Sequence, residues 1–184
     1  MASQAEPVEL KETVPLWLAV AITVVVSLPF GLFLGRYNLA LWAAFVVWAE
    51  YFALGGKPSA LRLIIPSYTL GALFTGLAMF LCVVLTPLLG ANGALAVALF
   101  VGVGAMVYVM GLSGTLSKGS LPYFNGISML LAVYFTQSYP AVTNPLLQPW
   151  MAALWAILSG WLGALLGWFN VAITFPKPVK SKEH

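Results

Sequence analysis

The chain has 184 residues, of which 61% are hydrophobic and 7% are charged, and its formal net charge is +3. A soluble domain carries about 25% charged residues, so this composition excludes an ordinary soluble globular protein. No basic stripe with interleaved aromatic residues occurs, which argues against nucleic acid as a partner. Repeated apolar runs of about 18 residues or more are instead typical of membrane helices.

Six apolar segments predict six transmembrane helices. Short connections rich in glycine, proline and polar residues separate them, among them residues 87–90 and 113–119. Residues 14–175 therefore form a single membrane domain between a polar segment, 1–13, and a basic tail, 176–184. The predicted fold class is an all-α integral membrane protein surrounded by the lipid bilayer. The six segments are residues 14–34, 39–55, 61–86, 93–112, 121–136 and 146–175.

The basic residues predict an orientation for these helices. With six spans, seven lysine and arginine residues fall on the side that holds both termini, and only Arg36 falls on the other side. Because basic residues accumulate in cytoplasmic loops, both termini are expected in the cytoplasm.

Two short matches suggest an internal repeat. The segment 49–52, Ala-Glu-Tyr-Phe, resembles 132–135, Ala-Val-Tyr-Phe, and Leu-Gly-Ala-Leu occurs at both 70–73 and 162–165. The halves would be residues 14–90 and 91–175. Three spans per half force opposite orientations, so this would be an inverted repeat of the kind found in transporters. Chance similarity between apolar helices is the alternative.

Glu50 is the only acidic residue within the hydrophobic body of the chain. A charged side chain at the centre of a bilayer costs about 2.5–3.5 kcal/mol on insertion scales, so Glu50 needs a partner, a proton or a watery cavity. One interpretation is a cation-binding or proton-relay carboxylate that lines a polar path. The other is a buried ion pair or hydrogen bond with Lys57, Arg62 or Tyr68.

The fifth segment contains Asn125-Gly126, followed by Ser128. An unwound helix at this point would expose backbone groups to a solute, as broken helices do in transporters. The simpler interpretation is a late helix start with Asn125 as its N-cap. The residues predicted to line a solute path or proton relay are Glu50, Tyr51, Tyr68, Asn125, Ser128 and Tyr134.

Small residues at helical spacing predict close packing between helices. The third segment carries a shorter stripe of Ser67, Gly71 and Thr75. We expect the third and sixth helices to cross at the centre of the molecule through these stripes, although a contact between copies in a homo-oligomer is the competing interpretation. The stripe on the sixth segment consists of Ala152, Ala156, Gly160, Gly163 and Gly167.

The sequence offers no residues for a metal site or a cofactor. Cys82 is the only cysteine and His184, the last residue, is the only histidine. There is no paired set of acids, no Ser/His pair and no glycine-rich phosphate loop, so an enzyme is the least expected class.

The run from Trp42 to Ala53, Trp-Ala-Ala-Phe-Val-Val-Trp-Ala-Glu-Tyr-Phe-Ala, is followed by Gly55-Gly56. These residues resemble the YcdZ-like bacterial inner-membrane proteins, a small family of unknown function. The resemblance covers the second and third segments and implies a multi-pass protein of the bacterial inner (cytoplasmic) membrane. It implies no activity.

The leading functional hypothesis is a small permease or channel for a small polar solute, neutral or cationic. Its path would be lined by Glu50 and by polar groups of the second, third and fifth segments. The alternative is a non-transporting membrane subunit that anchors or assembles a larger complex, in which Glu50 would pair with another chain.

Overall fold

A computed structural model describes residues 10–37 and 39–178 of the chain. This part is helical except for a short antiparallel pairing of β1 (Leu10–Lys11) with β2 (Lys177–Pro178), which ties the two ends together. The helices are α1 (Leu16–Leu34), a 3-10 turn (Gly35–Tyr37), α2 (Leu41–Ala53), α3 (Pro58–Leu112), α4 (Gly114–Lys118), α5 (Ser120–Phe135) and α6 (Gln148–Ala172).

The helices α1, α3 and α6 are long and apolar enough to cross a membrane. This confirms an almost entirely helical fold that contains several long apolar helices. Helices α2 and α5 have 13 and 16 residues, or about 20 and 24 Å, which is shorter than the roughly 30 Å of a hydrocarbon core. The number of six spans therefore stays a prediction.

Helix α3 joins the third and fourth predicted segments, with a break at Gly90. The backbone there has φ 68° and ψ 168°, a combination that is essentially restricted to glycine. Residues 58–89 form the first arm, about 48 Å long, and residues 91–112 form the second, about 33 Å long. The arms fold back on each other, because Gly102 lies against Ala78 and Thr75 contacts Met106.

The connection between the second arm and α5 differs from the sequence prediction. Residues 113–119 were expected to form an irregular loop, but α4 occupies most of it. The Ser113 hydroxyl accepts a hydrogen bond from the Leu116 backbone N–H at 3.3 Å, which is the usual way in which serine caps a helix start.

Helices α3 and α6 cross in opposite directions. Gly160 lies against the ring of Tyr68, and a Cβ atom on Gly76 would lie 3.1 Å from that of Ala153. The crossing is formed by Tyr68 and Gly76 and not by the predicted stripe of the third segment, so that part of the prediction is wrong. Ser67 lies against Gly119, a methyl group at Gly71 would overlap the carbonyl oxygen of Tyr123 in α5, and Thr75 contacts Met106 of the second arm.

The small-residue stripe of α6 faces α2 over much of its length. A methyl group at Gly163 would overlap the carbonyl oxygen of Ala44, and one at Gly167 would lie 2.6 Å from the Cβ atom of Tyr51. The order of these contacts along both helices shows that α2 and α6 run in the same direction. The stripe is therefore covered within one chain, which differs from the competing interpretation of a contact between copies.

We expect Gly90→Ala to lower the free energy of unfolding by about 1–3 kcal/mol, because alanine does not adopt this backbone conformation without strain. Unfolding in detergent micelles measures the change. Gly104→Ala is the matched control: Gly104 is helical with open space around it, so alanine there should be neutral or stabilising. Equal effects at the two positions would contradict the break at Gly90.

Candidate functional site

Glu50 and Asn125 form a hydrogen bond between α2 and α5. The Asn125 side-chain Nδ2 donates to Glu50 Oε1. Glu50 lies three residues before the end of α2 and is only 3% exposed. The single acid of the hydrophobic body is thus held by an uncharged partner from a helix that lies 75 positions away in the sequence.

The second carboxylate oxygen of Glu50, Oε2, is buried and has no hydrogen-bond partner. Lys57 and Arg62 are both exposed, and neither pairs with Glu50. Tyr68 does not bond Glu50 either, because its hydroxyl donates to the Ala156 carbonyl at 3.1 Å. The expected partners Lys57, Arg62 and Tyr68 are therefore replaced by Asn125.

Both sequence-based interpretations of Asn125 are wrong. Helix α5 runs without a break from Ser120 to Phe135, so Asn125 neither unwinds the helix nor caps its start. An asparagine is costly inside a helix when it competes for its own backbone, and here its side chain bonds to Glu50 instead. Gly126 lets α5 approach α3, because a methyl group there would overlap the Tyr68 carbonyl oxygen.

Of the remaining residues predicted to line the path, two lie in the interior, one is exposed, and one stacks on another tyrosine. Tyr51 and Tyr68 are fully buried, and both pack against glycines of α6. Ser128 is exposed and bonds the Phe124 carbonyl of its own helix at 3.2 Å. Tyr134, nine residues along α5 from Asn125, stacks on Tyr139 with ring centroids 6.3 Å apart.

Other buried polar atoms also have no hydrogen-bond partner. Leaving such a group unpaired costs about 1–3 kcal/mol, and the great majority of buried polar groups in proteins are paired. These atoms lie on α2, α3 and α6, the helices that surround Tyr51 and Tyr68. They are Trp48 Nε1, the Tyr51 hydroxyl, Ser67 Oγ, Ser159 Oγ and both amide atoms of Asn170.

The sequence analysis missed Asn170 and Ser159. Both are fully buried. Asn170 follows Gly163 and Gly167 by seven and three positions, so it continues the small-residue face of α6. The sequence signal that could have identified Asn170 is its register with this packing stripe.

The described residues contain no group of three or more histidine, cysteine, aspartate or glutamate side chains that could hold a metal ion. Glu50 and Asn125 supply one carboxylate and one amide, and α2, α3 and α6 carry further buried donors and acceptors. Groups of these kinds can form hydrogen bonds with a small polar molecule.

A family model described as "Protein of unknown function (DUF1097)" matches residues 16–174. The chain belongs to this family. The match confirms the expectation of an uncharacterised family. It covers every helix described above, and the two short strands β1 and β2 lie outside it. No curated protein and no solved structure matches the chain, so no activity is carried over.

We expect Asn125→Ala to destabilise the protein by about 1 kcal/mol, the usual size of a hydrogen bond between membrane helices. In the double variant, Glu50→Gln should recover part of the stability lost in Asn125→Ala. The reason is that an uncharged amide is less costly to leave unpaired than a carboxylate. Unfolding of both single variants and the double variant in micelles gives the coupling energy.

Ser128→Ala is the control for this measurement, since Ser128 is exposed on the same helix. Its effect should stay within about 0.5 kcal/mol. Additive effects of the Glu50 and Asn125 substitutions would contradict a direct bond between the two side chains.

Proposed function

We propose that the protein is a small polytopic permease or channel for a small polar solute, neutral or cationic, and that Glu50 lies on its path. The observation that carries the proposal is the buried, unpaired Oε2 atom of Glu50. A carboxylate oxygen with no partner is expensive in a membrane protein. A bound solute would supply the missing partner, and a bound proton would remove the charge.

The charge of the site selects the solute class. A carboxylate accepts hydrogen bonds and attracts cations, whereas it repels anions. No lysine or arginine side chain that the structure describes forms an ion pair with Glu50. The proposed solute therefore carries N–H or O–H donors or a positive charge.

Buried polar atoms without partners on α2 and α3 support a route for such a solute. Tyr51 is the next residue on α2, and Ser67 precedes Tyr68 on α3. Each presents a buried hydroxyl with no partner. Hydroxyl groups both donate and accept hydrogen bonds, so they can replace part of the hydration of a neutral or cationic solute.

The second support is a set of contacts that fits the inverted repeat proposed from the sequence. The segments 67–73 and 159–165 share serine at the first position and Leu-Gly-Ala-Leu at the end. Two pairs of equivalent residues in this alignment touch at the crossing of α3 and α6. Tyr68 lies against Gly160, and the Trp161 indole N–H donates to Thr69 Oγ1 at 2.9 Å. A residue touches its own equivalent only near a two-fold axis.

The neighbouring contacts follow the same symmetry. Gly71 of α3 packs on α5, and its equivalent, Gly163 of α6, packs on α2. Glu50 and Asn125 then come from opposite halves and meet where the halves join. Transporters built from inverted repeats place their solute sites at this interface.

The proposal includes the topology and location inferred from the sequence. We place six spans in a bacterial inner membrane, with both termini in the cytoplasm because of the bias in basic residues. The YcdZ-like inner-membrane proteins are the set within which we place the chain. A homo-oligomer would be compatible with a path through each copy.

The test is solute flux into proteoliposomes across a panel of cations, amides and polyols. We expect selective flux of at least one solute with the wild-type protein. Glu50→Gln should reduce it about tenfold or more, since a lost charge-assisted contact is worth roughly 1.5–3 kcal/mol. Ser128→Ala should change flux less than twofold.

Two outcomes would contradict the proposal. Equal flux in Glu50→Gln and wild type would remove Glu50 from the path. Absence of flux for every solute, from protein shown to be folded, would favour the non-transporting subunit of a larger complex.

A further inference from the structure

A small cavity of about 180 Å³ lies where α5 ends and α6 begins. Its volume equals that of roughly six water molecules in the liquid, at about 30 Å³ each. A solute of a few non-hydrogen atoms therefore fits inside it. The described residues that line the cavity are Gln137, Tyr139, Ala141, Val142 and Gln148.

Contacts within the protein fix two walls of this cavity. Gln148 is the first residue of α6, and its side-chain Nε2 donates to the Val142 carbonyl oxygen at 3.2 Å. Tyr139 is buried, and its ring stacks on Tyr134 of α5. The cavity is thus formed in advance, which lowers the entropy cost of binding a guest.

Gln137 occupies a backbone position that glycine would adopt more easily. It follows the end of α5 and has φ 53°. The next backbone N–H, of Ser138, donates to the Val133 carbonyl at 2.9 Å, a bond that is typical of helix ends with a left-handed residue, usually glycine. The fold alone therefore does not explain a glutamine here, whereas a role of its side chain in the cavity wall does.

The two glutamines determine which guest the cavity suits. A side-chain amide offers two N–H donors and one C=O acceptor. Among the described residues, the bond from Gln148 to Val142 is the only one that either of these amides forms, so acceptors and donors remain for a guest. None of the lining residues is charged, and a cation gains no ion pair there. A small neutral molecule with both N–H and C=O groups matches this lining best.

The cavity and Asn125 lie towards opposite ends of α5. Twelve positions separate Asn125 from Gln137, or about 18 Å along a helix. In the proposed six-span topology, the end with the cavity faces the outside. We propose that the cavity binds a small neutral amide, a primary amide or urea, as the outer entry site of the solute path, which rests on the proposed function. The N–H groups of such a solute could also serve the unpaired Glu50 Oε2.

Protection of a cysteine from a thiol reagent measures binding without any need for transport. Ala141→Cys, in a Cys82→Ser background, places the thiol in the cavity wall. Acetamide should slow its labelling about threefold at twice its dissociation constant. N,N-Dimethylacetamide keeps the carbonyl group but has no N–H donor, so the same concentration should leave the rate unchanged. Thr143→Cys, which is exposed in the same loop outside the cavity wall, should be labelled at one rate throughout.

Gln137→Gly removes one amide from the cavity without straining the backbone. Glycine favours this conformation, so the variant should fold as well as its parent. Its dissociation constant for acetamide should nevertheless rise about fivefold, the usual effect of one neutral hydrogen bond. The proposal is overturned if acetamide gives no protection, if dimethylacetamide protects equally, or if Gln137→Gly leaves the protection unchanged.

Flux of acetamide into proteoliposomes separates this proposal from the function on which it rests. We expect Gln137→Gly to raise the half-saturating concentration of acetamide about fivefold. Flux of any solute without protection at Ala141→Cys would overturn the entry site and leave the proposed function standing. Protection without flux of any solute would overturn the proposed function, and with it the entry role, and would leave only an amide-binding cavity.

Discussion

Two pairs of helices approach until their backbones touch, and the rest of the structure depends on the glycines that allow this. Gly163 brings α6 onto the carbonyl of Ala44 in α2, and Gly71 brings α3 onto that of Tyr123 in α5. In a membrane, apolar side chains gain little by leaving lipid, so close packing supplies much of the attraction between helices. The short helices α2 and α5 are thereby held against the two long ones.

This packing determines the chemistry of the interior. It brings Glu50 of α2 to Asn125 of α5 and leaves several other buried polar atoms of α2, α3 and α6 without partners. A protein selected only for a stable fold would place apolar residues at these positions, because each unpaired group costs free energy. We attribute their presence to the proposed solute path. The outer face of α6 differs, since the indole N–H groups of Trp155 and Trp161 both find partners within the protein.

The helices could be predicted from the sequence because long apolar runs leave few alternatives for the backbone. The break at Gly90 was likewise marked by the proline and glycine of residues 87–90. Glu50 stood out as the lone acid, but its partner did not: the pairing with Asn125 depends on how closely α5 approaches, which is a tertiary property. Asn170 and Ser159 lie in register with the small-residue stripe of α6, but that register did not show that neighbouring helices enclose both side chains, because enclosure is also a tertiary property.

The most direct test of the central claim, that Glu50 is reached by polar solutes from water, is the reactivity of a cysteine at that position. Cys82 is the only native cysteine and is buried, so Cys82→Ser gives a clean background. In folded Glu50→Cys protein we expect rapid labelling by a small cationic thiol reagent. Leu130→Cys, at a fully buried position of α5, should stay unlabelled. Equal protection at both positions would contradict a path through Glu50 and make the Glu50–Asn125 bond a purely structural feature.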